Sequence, residues 1–529
     1  MVWSEQRALN RIEKLRASAP VAALDVRDLE GFMAERRWLR EAALAKGERF
    51  DEPIFAVPLN RAITTHGVHI YANLIDYNTH QTENGVETEA SQTRAMQFLH
   101  GHYGACDQLI AAFGIQRVDF HGARLHAVVL TPTGEANEGE RLQIALAFAA
   151  AFRDMVARMS ARYGAEFRTR VRVGIDTGPA VAINSGRRDE SEPLFIGSPA
   201  NHAAKAAAGD EEGIALTPRA QRVLQASQSV LAAPSRVALM SGVEEARLLD
   251  RSLLVAGRDA SVKVRVDEAF AAFDLQRSAA IASGTPRAEF SFHYRQPPMR
   301  TLVYAEHPPS NAVRMPLVSV FADITGFTDY IDRAIAAGAI AQAVGNLHVM
   351  RGEMNYVVRD DFNGRKLRYI GDCLQALIAE GDARTTDARA SVRTAVLAAA
   401  GIRSSFSLCR ALLPGVDTLG IAIGLELGPT PIARLGLRGT ASVRCASSRA
   451  TCVSEEVQGA CGADETGLGS VALAAADPHV QRLFAGGSCA RNLSYPAASA
   501  LLLGASSMTP APAAPLIHTS PRPMRAYRD

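Results

Sequence analysis

The chain carries one pattern of three blocks twice, about 250 residues apart, and a pattern repeated in constant register restricts the fold to two copies of one domain. VSVFADITGFT (318–328) lies over VHIYANLIDYN (68–78), and RYIGDCLQALI (368–378) lies over DFHGARLHAVV (119–129). IAIGLELGPTPIA from Ile421 lies over VRVGIDTGPAVAI from Val171, so Gly424 and Gly428 meet Gly174 and Gly178, with a proline after the second glycine in each.

Within each repeat the predicted order is strand, helix, strand, strand, helix, strand, helix. VSVFADI and VHIYANLI are apolar and rich in β-branched and aromatic residues, as strands are. SQTRAMQFLHGHYGACDQLIAAFG and AIAAGAIAQAVGNLHVMRGEMNYVV place apolar residues at helical spacing, and each reads as one helix. LRYIGDCLQALI and VDFHGARLHAVVL read as hairpins whose turns hold a glycine. The fold class is α+β, with a mostly antiparallel sheet packed by helices in each repeat.

Five parts follow along the chain: a charged helical segment at 1–52 that packs on the first domain or on a partner, a first domain at 53–266 ending in the strand-like SVKVRV, a linker at 267–316, a second domain at 317–504 and a Pro/Ala-rich disordered tail at 505–529. The 529 residues supply two sizeable cores. Lys and Arg number 57 against 55 Asp and Glu, a net charge of +2 that gives no reason to expect a nucleic-acid partner. Seven cysteines without a paired CxxC argue for free thiols rather than a disulfide or zinc framework. No apolar run approaches the roughly 18 residues of a membrane span, and the charged N-terminus does not read as a signal peptide. The expectation is a soluble, cytoplasmic protein.

Chemistry is most visible in the second repeat. Asp323 ends a buried strand and leads into ITGFT, a small-residue loop entering a helix, while Asp372 sits in a hairpin turn. Two carboxylates on adjacent strand ends, beside the free amides of a helix N-terminus, suit two divalent metals and a triphosphate. The Ile324 carbonyl can ligate metal as well, and the loop amides through Phe327 and Thr328 can cradle phosphate oxygens.

FADITGFT with the later YIGDCLQALIAE resembles the class III nucleotidyl cyclases, the adenylate and guanylate cyclase family. The resemblance implies that Asp323 and Asp372 hold two Mg²⁺ or Mn²⁺ ions while a 3′-hydroxyl attacks the α-phosphate and pyrophosphate leaves. It also implies a site shared between two catalytic domains, one supplying metals and the other an Asn and, four residues later, an Arg. FIGSPANHAAKAA of the first repeat is similar to that second element, with Asn201 to orient the ribose and Lys205 in the arginine's place to stabilise phosphoryl charge. A lysine cannot make the bidentate fork of an arginine. LGLRG (435–439) resembles the element whose arginine contacts the terminal phosphates, making Arg438 a further substrate-binding residue; for a second phosphate-binding lysine only Lys263 offers itself.

The two repeats have lost opposite halves of this site. Asn73 and Ala123 stand at the metal positions of the first repeat, and Ser448 and Cys452 are expected at the Asn and Arg positions of the second. One composite site is complete and its mirror image is broken, as in a pseudo-heterodimer within one chain or across a homodimer. The family's base-reading positions, three residues before each motif glycine, fall on Asp119 and Leu194. That pair matches neither the adenine code (Lys and Asp) nor the guanine code (Glu and Cys), and an acidic group accepts from uracil N3–H or the cytosine amino group. The resemblance therefore leans to the pyrimidine cyclases of the Pycsar anti-phage systems, with cUMP ahead of cCMP and a separate effector protein reading the product. An adenylate cyclase and a degenerate nucleotide sensor are the alternatives; a diguanylate cyclase would need a GGDEF-like hairpin, which YIGDC is not.

Overall fold

The computed structural model describes residues 2–18, 25–47, 57–58, 61–184, 193–226, 236–255, 257–282, 290–436 and 442–502. The first sheet contains β1 (Asp25–Asp28), β2 (Arg61–Leu74), β3 (Gln116–His121), β4 (Arg124–Val129), β5 (Val171–Asn184), β6 (Pro193–Ile196), β7 (Gly213–Leu216) and β8 (Ala238–Leu239), in the order β3-β4-β2-β5-β7-β8 with β1 beside β2 and β6 beside β5. A small hairpin, β9 (Ser252–Val255) and β10 (Arg258–Ser261), follows. The second sheet repeats the first strand for strand: β11 (Phe292–His293), β12 (Ala312–Thr325), β13 (Arg365–Ile370), β14 (Cys373–Ile378), β15 (Gly420–Leu435), β16 (Val443–Ala446), β17 (Glu465–Leu468) and β18 (Cys489–Arg491), in the order β13-β14-β12-β15-β17-β18. Only the β1/β2, β5/β7, β11/β12 and β15/β17 pairs are parallel among the described residues.

Asn73 pairs with Arg172 in the first sheet and Asp323 with Ala422 in the second, so the sequence register is the structural register. The repeated glycines have a packing reason. A Cβ at Gly174 would come 2.1 Å from Ala203 O and 2.4 Å from Ala207 N, and one at Gly424 would come 2.2 Å from Ser454 O and 2.4 Å from Gln458 N. In both repeats a helix backbone rests directly on the central strand.

Helices cover the sheets where the apolar spacing directs them. Thr88 and Ser91 form a capping box for helix Glu89–Phe113, and Gly114 ends it at φ 59. Asp387 caps helix Ala388–Leu412, which is long and apolar enough by length and composition to cross a membrane, yet 67% of its apolar window is buried inside the second core. The expected single helix at 334–358 is two, Phe327–Ala336 and Ile340–Tyr356, because Gly338 at φ 68 reverses the chain between them. SVKVRV is not a strand: after Ser261 it opens helix Val262–Ala282. Alternating valines would put Val262, Val264 and Val266 on one face of a strand. Instead Val262 and Val266 are buried with Ala269 and Phe273, and Val264 is exposed, which is helical spacing. That helix packs on Glu89–Phe113 and Glu138–Tyr163, so its residues extend the first domain rather than link the two.

The N-terminal segment is also shared out differently. Helix Glu5–Ser18 packs Ala8, Ile12 and Leu15 into the second repeat's core, together with Trp3, whose indole donates to Ser405 Oγ at 2.8 Å. Arg11 grips Glu353 and Asp361 there. Only β1 and the following helix, Leu29–Ala45, join the first sheet.

The repeats pair within the chain. Ile183, Leu194 and Ile196 of the β5–β6 arm enter the core of the second repeat, and Leu435, Val443 and Cys445 of the β15–β16 arm enter the core of the first. Polar contacts stitch the same interface, among them Tyr77 OH with Ser447 Oγ at 2.7 Å and Gln92 Nε2 donating to Pro429 O at 2.6 Å.

Candidate active site

A cavity of about 470 Å³ opens between the repeats and brings together Asp323, Ile324, Phe327, Thr328 and Asp372 of the second with Asp119, Leu194, Asn201 and Lys205 of the first. Arg438 lies outside the described residues. Lys263 is exposed on helix Val262–Ala282 and does not line the cavity.

The acidic side is built by the pairing of β12 with β14, which places the strand-end Asp323 beside the β13–β14 turn carrying Asp372. Burial pushes the Asp323 carboxyl up to about 6. Burial and the neighbouring Asp323 charge push Asp372 well above the usual carboxylate range, against the pull of its backbone contacts and of Arg351. Two half-buried carboxylates side by side, opposed only by Arg351 and backbone contacts, suit a multivalent cation. Gly326, at φ 86, turns the chain from β12 into helix Phe327–Ala336 and points that helix N-terminus into the cavity.

The opposite side is helix Ser198–Ala207, which follows β6. Its N-cap, Gly197, has no side chain, and Asp332 of the other repeat accepts from the Ser198 amide at 3.0 Å instead. Asn201 Nδ2 donates to Thr328 Oγ1 at 2.6 Å. Asp176, fully buried in β5, braces the same helix by accepting from Arg219 and Thr217 and lying 3.2 Å from His202 Nδ1. Burial works against the Asp176 charge, but His202 and Arg219 hold its carboxyl below the ordinary value. Lys205 is one turn beyond Asn201, and both reach the cavity.

At the far end Asp119 lies at a bulge in β3. Arg368, its counterpart at the bulge in β13, is 1% exposed and donates to Asp119 Oδ1 at 2.7 Å. Burial opposes the Asp119 charge, yet Arg368, His121 and His126 hold its carboxyl well below the carboxylate range. The walls beside it include Tyr71 stacked on His126 with centroids 4.1 Å apart, together with Val118 and Leu194. His126 is driven well below the usual histidine value by burial and by His69. The contributions of Arg368, His121 and Asp332 were not legible as site residues, although the aligned blocks already set Arg368 over Asp119.

A second cavity of about 480 Å³ occupies the mirror position and contains Asn73 and Ala123 where the first has its metal-side aspartates. One expectation needs correcting. Ala182 pairs with Phe195, and its equivalent Ile432 with Ala446, and the helix contacts at Gly174 and Gly424 are Ala203/Ala207 and Ser454/Gln458. These matches put Cys452, not Ser448, at the place of Asn201, and Glu456 at that of Lys205. Ser448 is the helix N-cap, accepting from the Thr451 amide. The expected assignment is four residues off, because Ser448 stands at the place of Gly197, the N-cap of the corresponding helix. Glu456 stands in this cavity where the first has Lys205.

Comparison with known proteins agrees with this geometry. The family described as "Adenylate and Guanylate cyclase catalytic domain" matches residues 81–247. The chain is 46% identical over 494 residues to a protein of a Rhizobium species named uridylate cyclase, covering 92% of this chain and 93% of that one. It is 36% identical over 452 residues to a Pseudomonas aeruginosa protein of the same name, covering 84% of each. A crystal structure described as a class III adenylyl cyclase-like ATP-binding protein from Pseudomonas aeruginosa superposes with a TM-score of 0.80 at 32% identity, over 95% of this chain and 100% of that one. The chain belongs to the class III nucleotidyl cyclases.

Proposed function

We propose that the protein is a uridylate cyclase that converts UTP to 3′,5′-cyclic UMP and pyrophosphate. The observation that carries this is the single cavity joining Asp323 and Asp372 to Asn201, Lys205 and Asp119, read with the 46% identity to a named uridylate cyclase. Asp323, Asp372 and the Ile324 carbonyl would hold two divalent ions, Mg²⁺ or Mn²⁺, and a pair of adjacent carboxylates whose pKa values are both raised fits them. Bound there, such ions neutralise phosphate charge and make the 3′-hydroxyl easier to deprotonate.

The remaining work belongs to the chain. The amides of Phe327 and Thr328 receive the phosphates at a helix N-terminus. Asn201, already held by Thr328, orients the ribose so that the 3′-oxygen faces the α-phosphorus. Lys205 offers a cation to the charge that builds on the phosphoryl oxygens as the new P–O bond forms and pyrophosphate departs. Asp119 accepts a base N–H, with Leu194 packing beside the base.

A cytoplasmic location, an anti-phage role and a separate effector that binds the cyclic product complete the reading. The solved relative described as ATP-binding favours adenylate cyclase as the second reading. Mass spectrometry of Mn²⁺ reactions supplied separately with UTP, CTP, ATP and GTP separates them. Cyclic UMP as the dominant product supports the proposal, cyclic AMP supports the second reading, and no cyclic product from any of the four refutes both.

A further inference from the structure

Asp119 Oδ2 and His121 Nδ1 are buried without a hydrogen-bond partner, 3.3 Å apart but out of line with each other, and both residues line the cavity. A buried acceptor left open costs folding energy, which a water or a ligand can recover. The other oxygen, Oδ1, is occupied: Arg368 donates to it at 2.7 Å and anchors the same guanidinium on Phe120 O. Arg368 belongs to the metal-binding repeat and borders the mirror cavity, not this one. It cannot touch a substrate here, yet it decides which carboxylate oxygen is free.

We infer that Arg368 is a positioning residue for base selection, holding Asp119 as a charged acceptor with one oxygen available to the base. The inference rests on the proposal that Asp119 reads the base. A charged acceptor binds best to an acidic ring N–H, and among the four bases uracil and guanine have one. Guanine also presents its exocyclic amino group beside that N–H and needs two acceptors in line, of which Arg368 has taken one. Uracil needs one acceptor and presents carbonyl oxygens on both sides, which suits a donor such as His121 next to Oδ2. The residue that disfavours guanine therefore comes from the repeat that does not contact the base.

The test uses the full-length protein with Mn²⁺ and steady-state kinetics on UTP, CTP and GTP. Arg368→Gln is expected to lower the ratio of kcat/KM for UTP to that for GTP by about tenfold or more. The change should fall on KM, with kcat on UTP within about threefold of wild type. Arg368→Lys, which keeps a cation on Oδ1, should retain the wild-type ratio. If Arg368→Gln does not fold, Arg368→Gln/Asp119→Asn removes the stranded buried charge, and its UTP preference should drop likewise. An unchanged UTP:GTP ratio in whichever of these two variants folds overturns the inference, even if wild type makes cyclic UMP. A wild-type enzyme that ignores UTP refutes the functional proposal instead.

Discussion

Asn201 and Thr328 join the two halves of the cavity with a 2.6 Å hydrogen bond, and Asp332, one turn further along the same helix as Thr328, caps the helix that carries Asn201. The loop entering helix Phe327–Ala336 and helix Ser198–Ala207 are thus fixed to each other across the cavity. Both repeats contribute to the lining of the one cavity.

The acidic pair should limit stability when no cation is present. Burial and mutual repulsion disfavour the charged forms of Asp323 and Asp372, so Asp372→Asn is expected to raise Tm in EDTA while removing turnover. Wild type should gain Tm on adding Mn²⁺, and Asp372→Asn should gain much less. Differential scanning fluorimetry with and without the ion checks both. A lower Tm for the variant in EDTA would contradict the repulsion.

Much of this was legible in the chain. Asp323 and Asp372, in register with an asparagine and an alanine, were expected to share one strand end, and both line the cavity, because register in a sheet fixes which residues meet there. Asn201 and Lys205 were picked out by the resemblance of FIGSPANHAAKAA to the cyclases' Asn and Arg element, with a spacing of four that sets both on one helix face. Less legible was anything that depends on contact across the repeats. Alignment set Arg368 over Asp119, but only the assembled interface brings these equivalent positions together as an ion pair. SVKVRV was misread because alternation over so few residues fits a strand and a half-exposed helical turn equally. The docking of Trp3 and Ile12 on the second core has no local signature at all, since an amphipathic helix does not name its partner.

Gly174 lets helix Ser198–Ala207 lie on β5. Gly174→Ala puts a Cβ 2.1 Å from Ala203 O, and the helix must move. The expected outcome is a loss of about 1–3 kcal/mol of stability from overpacking and about a hundredfold drop in kcat from displacement of Asn201 and Lys205. The Mn²⁺-induced rise in Tm should persist, because the acidic side is untouched. Urea unfolding and initial rates measure the two effects.

Arg11 fastens the N-terminal helix to the second repeat through Glu353 and Asp361, whose side chains are 1% and 0% exposed. Arg11→Met leaves a buried carboxylate without its cation and should cost about 3 kcal/mol. Arg11→Met/Glu353→Gln should recover part of it in urea unfolding, and turnover well below the melting range should stay near wild type in both.

Asp119 sets an acid limit on stability. Its folded carboxyl titrates below the unfolded value of 3.8, so its pairing with Arg368 contributes fully above about pH 4 and is lost as pH falls toward the folded value. The Tm difference between wild type and Asp119→Asn should be largest near neutral pH and shrink below about pH 4. Melts across that window check the sign; a gap that widens on acidification would contradict it.

Under the proposed function, one chain assembles one working site from its two unequal repeats. Asp323→Ala removes one half of that site and Asn201→Ala the other, and each variant alone should lose at least about a hundredfold in rate. The direct measurement is cyclic-nucleotide formation by an equimolar mixture of the two purified variants. The mixture is expected to be as inactive as its components, because each chain pairs its own repeats. Recovery of a substantial fraction of wild-type activity would show that the halves meet between chains and would contradict it.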